Sequence, residues 1–290
     1  MINERLTGTG VALVTPFNEK LEVDYAALKK LLEHISNGEA EYLVILGTTG
    51  ESATIAPEER FKIIEFVVEN NPKQLPLVLG YGSNNTTTIK SALQQFKDYP
   101  FDALLSVSPY YNRPSQKGII RHYQEIADVS PFPVILYNVP PRTGSNLEAA
   151  TTIELAKHPR IIGTKEAAGD LVQCSEIIAN TDDDFLMISG EDALTLPMIS
   201  LGGNGAISVI ANLQPFEFSE MVRLALKGDY KGASKLHFAL LEGYELVSAE
   251  GNPVSLKTGL EAANIMNRRV RMPLFEGSDD LKNRFIDYLK

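Results

Sequence analysis

Pro133-Val134-Ile135-Leu136-Tyr137-Asn138-Val139 and Ile161-Ile162-Gly163-Thr164-Lys165-Glu166-Ala167 are two short apolar runs whose polar residues gather at the end. Each suits one β-strand and is too short for a helix. Near-continuous hydrophobicity marks a strand buried on both faces. Six further runs of this kind occur at residues 11–17, 42–48, 75–82, 103–111, 185–192 and 206–212. Successive starts lie 21 to 33 residues apart, the length of one strand and the helix that follows it.

The intervening segments carry helical signals. Asp24 is placed to cap a helix with Leu28, Leu31, Leu32 and Ile35 on one face, and Gly38 to close it. Pro57 suits a first helical turn, with Glu58 and Glu59 at its positive end and the stripe Phe61, Ile64, Val67 and Val68 behind. Ser115 and Asp170 are candidate caps of two more helices. The second of these turns Cys174 inward as a small buried hydrophobe.

Eight strand–helix units fit an open doubly wound sheet or a closed (β/α)₈ barrel. The count of eight and the missing G-x-G-x-x-G after the first strand favour the barrel. After residue 212 the strand rhythm stops. The stripe Leu236, Leu240 and Leu241 and caps at Asn252-Pro253 and Ser278-Asp279 read as helical. The expected architecture is an α/β TIM barrel over residues 1–212. Residues 213–290 would supply the last barrel helix and a C-terminal helical extension.

Composition narrows the function. The chain has 290 residues, with 27 basic and 37 acidic side chains and a formal charge of −10. With 44% hydrophobic and 22% charged residues it reads as an ordinary globular protein. The acidic balance opposes a nucleic-acid or anionic-membrane partner, and the basic cluster Arg268, Arg269 and Arg271 reads as solvated surface. No run approaches the ~18 apolar residues of a membrane span. Met1-Ile2-Asn3-Glu4-Arg5 lacks the apolar core of a signal peptide, so a cytoplasmic protein is expected. Cys174 is the only cysteine, and His34, His122, His158 and His237 show no metal-ligand spacing. Metal-free chemistry is expected.

In a barrel the functional groups sit where strands end. Lys165 is the foremost candidate: in an apolar strand desolvation disfavours an ammonium, and a neutral amine attacks a carbonyl to form an imine. Its bland alternatives are an ion pair with Glu166 or a side chain that snorkels to the barrel end. Tyr137 and Thr48 carry hydroxyls able to pass protons near such an amine, although both types are also common strand residues. Arg142, in a Pro-Pro-Arg-Thr-Gly turn, could fork onto a carboxylate or lie idle on the surface. Gly202-Gly203-Asn204-Gly205 precedes a strand, so it reads as a tight turn bringing the following backbone toward the barrel mouth, not as a phosphate cradle. No G-x-S-x-G elbow is present.

Gly47-Thr48-Thr49-Gly50-Glu51-Ser52, Tyr110-Tyr111-Asn112-Arg113-Pro114, Tyr137-Asn138-Val139-Pro140 with Arg142-Thr143, and Lys165-Glu166 occur together, in this order. In that combination the chain resembles, over essentially its whole length, the dihydrodipicolinate synthase/N-acetylneuraminate lyase family of pyruvate-dependent class I aldolases. The resemblance implies a homotetramer of (β/α)₈ barrels, a lyase without a cofactor, and an imine between Lys165 and pyruvate. It implies a proton relay of Thr48, Tyr137 and Tyr111, the last supplied by a neighbouring subunit. Thr49 would hold the pyruvate carboxylate, and the backbone carbonyls of Gly190 and Ile207 would line the pocket.

The second threonine of Thr48-Thr49 and Arg142 resemble family members that take L-aspartate 4-semialdehyde. The implied reaction condenses it with pyruvate to 4-hydroxy-tetrahydrodipicolinate, the first committed step toward diaminopimelate and lysine. A 2-keto-3-deoxy sugar-acid aldolase or N-acetylneuraminate lyase is the nearest alternative, and a catalytically silent binder on the same barrel the more distant one. Ser52, Ala53, Asn84 and Tyr110 fit the family's lysine effector cleft. Pro57, Arg60 and Thr88 depart from it, so weak or absent lysine inhibition is expected.

Overall fold

A computed structural model describes residues 2–290; Met1, part of the N-terminal stretch read above, lies outside them. Eight parallel strands close into a barrel in sequence order. They are β1 (Gly8–Ala12), β2 (Tyr42–Ile45), β3 (Leu77–Gly80), β4 (Ala103–Val107), β5 (Val134–Asn138), β6 (Ile161–Glu166), β7 (Leu186–Ser189) and β8 (Gly205–Ser208). β8 pairs with β1, so no edge is left open.

Side chains alternate across the sheet, and the apolar core divides accordingly. Ala12, Tyr42, Val44, Leu105, Ile135, Tyr137 and Ile188 belong to one buried cluster, which fills the barrel. Leu43, Ile45, Leu104, Val134, Leu136 and Met187, the alternate residues, join a larger cluster shared with the helices outside. That double burial is why the strands read as apolar runs rather than alternating ones.

The structure shifts β1 toward the N-terminus of the expected 11–17 run. Gly8-Thr9-Gly10 is too polar and too small to be recognised as a strand, yet small size is what the position demands. A Cβ on Gly10 would lie 2.1 Å from the Tyr42 ring, which fills the barrel interior. The glycine turn before β8 also differs from expectation. It lies at the strand's N-terminal end, away from the mouth, where a Cβ on Gly205 would meet the Gly8 carbonyl oxygen at 1.9 Å.

Helix starts follow the caps. Asp24, Ser115, Asp170 and Ser278 each accept a backbone N–H of the turn that follows. The Asn252 side chain caps nothing, because the helix Val254–Ala262 has no side-chain cap. The helix Pro215–Leu226 packs against β1 and the helix Tyr25–Asn37, completing the outer ring. The basic cluster is not idle surface: Arg268 pairs with Glu261 and Asp279, Arg269 with Glu276, and Arg271 with Glu59. Among the described residues no helix is long and apolar enough to cross a membrane.

Candidate active site

Lys165 and Glu166 end β6 and face opposite ways. In the parallel register Tyr137 lies beside Lys165, and Asn138 beside Glu166. Lys165 points into the barrel, 6% exposed, with its Nζ 4.5 Å from the centre of the Tyr137 ring. Glu166 points out beneath the helices, where it accepts from Asn138 Nδ2 at 2.9 Å, Gln173 Nε2 at 3.0 Å and the Ala168 N–H at 2.8 Å. Burial pushes the Glu166 carboxyl above its ordinary range, against those donors. An ion pair between the two neighbours is thereby ruled out, and so is a lysine that snorkels to water.

Beside Tyr137 the strand ends open onto a cavity of about 620 Å³ lined in part by Thr48, Tyr137, Arg142, Ser52 and Tyr110. Thr48 stands on the loop after β2, which is pinned by turns and by the Thr15 hydroxyl donating to the Gly50 carbonyl at 2.7 Å. Leu46 and Glu51, at either end of that loop, hold left-handed backbone at φ 60° and 54°. For residues with a side chain such conformations cost ~1–3 kcal/mol each and persist where the surroundings enforce them.

Arg142 donates from Nη2 to the Asn252 carbonyl at 3.1 Å, and Asn252 Nδ2 donates to Thr49 Oγ1 at 3.0 Å. One residue of the C-terminal region thus touches both the arginine and the second threonine. Gly190 follows β7 directly against the lysine: a Cβ there would lie 2.9 Å from Lys165 Cε. Asp192 is buried close by, accepting the Val209 and Ile210 N–H groups, and burial raises its carboxyl. Ile207 is buried in β8 beside Gly10.

Tyr111 stands apart. It is 89% exposed, at φ 72°, and does not line the cavity of its own chain. Of the residues expected to form an effector cleft, Ser52, Ala53 and Tyr110 line the same cavity, with Arg60 and Thr88, while Asn84 Nδ2 donates to the Tyr110 carbonyl at 3.1 Å. No hydrogen bond joins the Thr48 and Tyr137 hydroxyls, although both open onto the cavity.

Sequence reasoning missed Asn252, Lys257 and Arg271. Lys257, wholly buried on the helix Val254–Ala262, meets Glu51 Oε1 at 2.5 Å, and Arg271 donates its N–H to Glu51 Oε2 at 3.0 Å. Burial pulls the Lys257 ammonium down to about 8, with Glu51 acting against that pull. The one available signal was a lysine within the apolar stretch Val254, Leu256 and Leu260.

Among the described residues no group of three or more His, Cys, Asp or Glu could hold a metal ion. The chain is 48% identical to the 4-hydroxy-tetrahydrodipicolinate synthase of Flavobacterium psychrophilum, over 96% of this chain and 95% of that one. Its fold superposes at a TM-score of 0.94 on the chloride-inhibited dihydrodipicolinate synthase of Acinetobacter baumannii complexed with pyruvate, at 33% identity and over 98% and 97% of the two chains. It superposes at 0.93 on the enzyme of Cyanidioschyzon merolae with lysine bound, at 33% identity over 98% and 97%. The profile of the dihydrodipicolinate synthetase family matches residues 5–290, and this chain belongs to that family.

Proposed function

We propose that this chain condenses pyruvate with L-aspartate 4-semialdehyde to 4-hydroxy-tetrahydrodipicolinate, through an imine on Lys165. One observation carries the reading: a buried lysine lies against the ring of Tyr137, which lines one cavity together with Thr48 and Arg142, in a chain 48% identical to a synthase of this reaction. The Lys165 amine attacks C2 of pyruvate, and loss of water from the carbinolamine leaves the imine. A proton then leaves the pyruvate methyl carbon, giving an enamine that attacks the aldehyde carbon, after which the amino group of the semialdehyde attacks the imine carbon, closes the ring and releases the Lys165 amine. Tyr137, Thr48 and Tyr111 move the protons that these steps take up and release. Thr49, with backbone groups at Gly190 and Ile207, holds the pyruvate end, and Arg142 forks onto the carboxylate of the semialdehyde.

The 89% exposure of Tyr111 supports a shared site: a tyrosine this open, absent from its own cavity, suits the mouth of a second copy. The assembly is a homotetramer built from such dimers. Residues 1–212 form the barrel unit, and residues 213–290 its last helix and the extension. The compartment is cytoplasmic; Cys174, buried and alone, needs no oxidising environment.

Pyruvate consumption, followed by NMR with L-aspartate 4-semialdehyde, N-acetylmannosamine and D-glyceraldehyde in parallel, tests the acceptor. Loss of pyruvate with the semialdehyde alone is expected. Turnover of a sugar aldehyde instead would overturn the role of Arg142 and favour a sugar-acid aldolase or N-acetylneuraminate lyase. Borohydride with pyruvate is expected to add one reduced adduct, absent from Lys165→Ala.

A further inference from the structure

Thr48 and Thr49 occupy a loop whose far end, Glu51, gives its carboxylate to Lys257 and the Arg271 N–H of the C-terminal region. The side chain is fully buried in left-handed backbone, and Lys257 and the Arg271 N–H take one oxygen each. Lys257 is satisfied in turn by the Arg269 carbonyl at 2.8 Å and by the Phe17 ring, 4.1 Å from its Nζ. Arg271 adds a donor to the Thr54 carbonyl at 3.0 Å, and its guanidinium pairs with Glu59 on the next helix. Asn252, just before the Lys257 helix, reaches Thr49 and Arg142.

Stability alone is a weak reason for this arrangement, since a buried ion pair seldom outperforms apolar packing of the same volume. Its particular property is direction. A charge pair fixes one carboxylate at one place, and here that carboxylate ends the loop bearing Thr48 and Thr49.

We propose that Glu51 and Lys257 are a positioning pair for the reaction, through which the C-terminal helical extension holds Thr48 and Thr49 against Lys165. The proposal rests on the imine reading above, but not on the identity of the aldehyde. The pair touches no reacting atom. It acts by fixing where the loop hydroxyls stand, so its loss affects proton transfer more than imine formation.

The test uses pyruvate alone, so it remains valid whichever aldehyde is the acceptor. Solvent deuterium exchange into the pyruvate methyl group reports enamine formation, and borohydride trapping reports the imine. In the double variant Glu51→Gln/Lys257→Met, which leaves no unpaired buried charge, exchange is expected to fall tenfold or more. Trapping on Lys165 should stay complete in that variant, with a folded circular-dichroism spectrum. Wild-type exchange in the folded double variant would make the pair purely structural and overturn the proposal. Should the double variant fail to fold, Glu51→Asp decides: it keeps the charge but shortens the arm by one methylene. The same selective loss of exchange is expected there, and wild-type exchange would again overturn the proposal. Absence of trapping in the wild-type protein would instead sink the imine reading.

Discussion

Lys165 and Glu166 are adjacent in the chain, yet one turns into the barrel and the other is locked among Asn138, Gln173 and a backbone N–H. Strand alternation alone separates them. His122 shows another consequence of burial. Its Nδ1 lies 2.8 Å from the Thr86 hydroxyl, and burial lowers its pKa from 6.5 to about 4, with Glu125 opposing weakly. The unfolded chain therefore takes up a proton near pH 6.5, while the folded chain waits until about pH 4. The contribution of His122 is constant above that window and is lost as pH drops through it, by on the order of 3 kcal/mol. Urea unfolding between pH 4 and 7.5 checks this. His122→Gln should flatten the slope, and an unchanged slope would refute the assignment.

The elements were unequally legible. β5 and β6 were readable almost to the residue, because both faces are buried and every position is apolar until the polar ends. β1 was misplaced, because Gly8-Thr9-Gly10 is selected by a neighbour's ring that no local pattern records. Gly10→Ala tests that cause. Forcing a Cβ into the Tyr42 ring should cost ~1–3 kcal/mol, the usual penalty of overpacking. Thermal unfolding would show it, and a melting temperature equal to wild type would remove the steric explanation. Asn252 was misread for a related reason. Its position before a helix signals a cap, but its side chain is spent on Thr49, which is distant in sequence.

For the whole molecule, the exposed Tyr111 makes a clear prediction. If it completes a partner's site, Tyr111→Phe and Lys165→Ala are each nearly inactive alone. Mixed under conditions that exchange subunits, they should regain activity, since one site of each hybrid then has both groups. No recovery after verified exchange would place Tyr111 outside the reaction. Lysine is the second test. The cavity that Ser52, Ala53 and Tyr110 line also contains Arg60, and its carboxylate Glu51 is taken by Lys257. An effector bearing ammonium groups meets a guanidinium and no free carboxylate there. Lysine in the millimolar range is expected to leave the initial rate nearly unchanged. Half-inhibition at submillimolar lysine would contradict this.

Local chemistry was enough to read the eight-unit rhythm, the caps at Asp24, Ser115, Asp170 and Ser278, and the candidacy of Lys165, Tyr137, Thr48 and Arg142. Each depends on a short stretch of chain: a run of buried strand, a side chain three residues from its N–H, or a polar group at a strand end. Closure of the barrel brought the ends of β2, β3, β4 and β5 around one cavity and set Lys165 against Tyr137. The clamp of Glu51 by Lys257 and Arg271, and the bridge from Asn252 to Thr49 and Arg142, join segments between 110 and 220 residues apart. Such contacts leave no trace in composition or periodicity. They exist only where tertiary packing has excluded water, so that a charge or an amide must find its partner inside the protein.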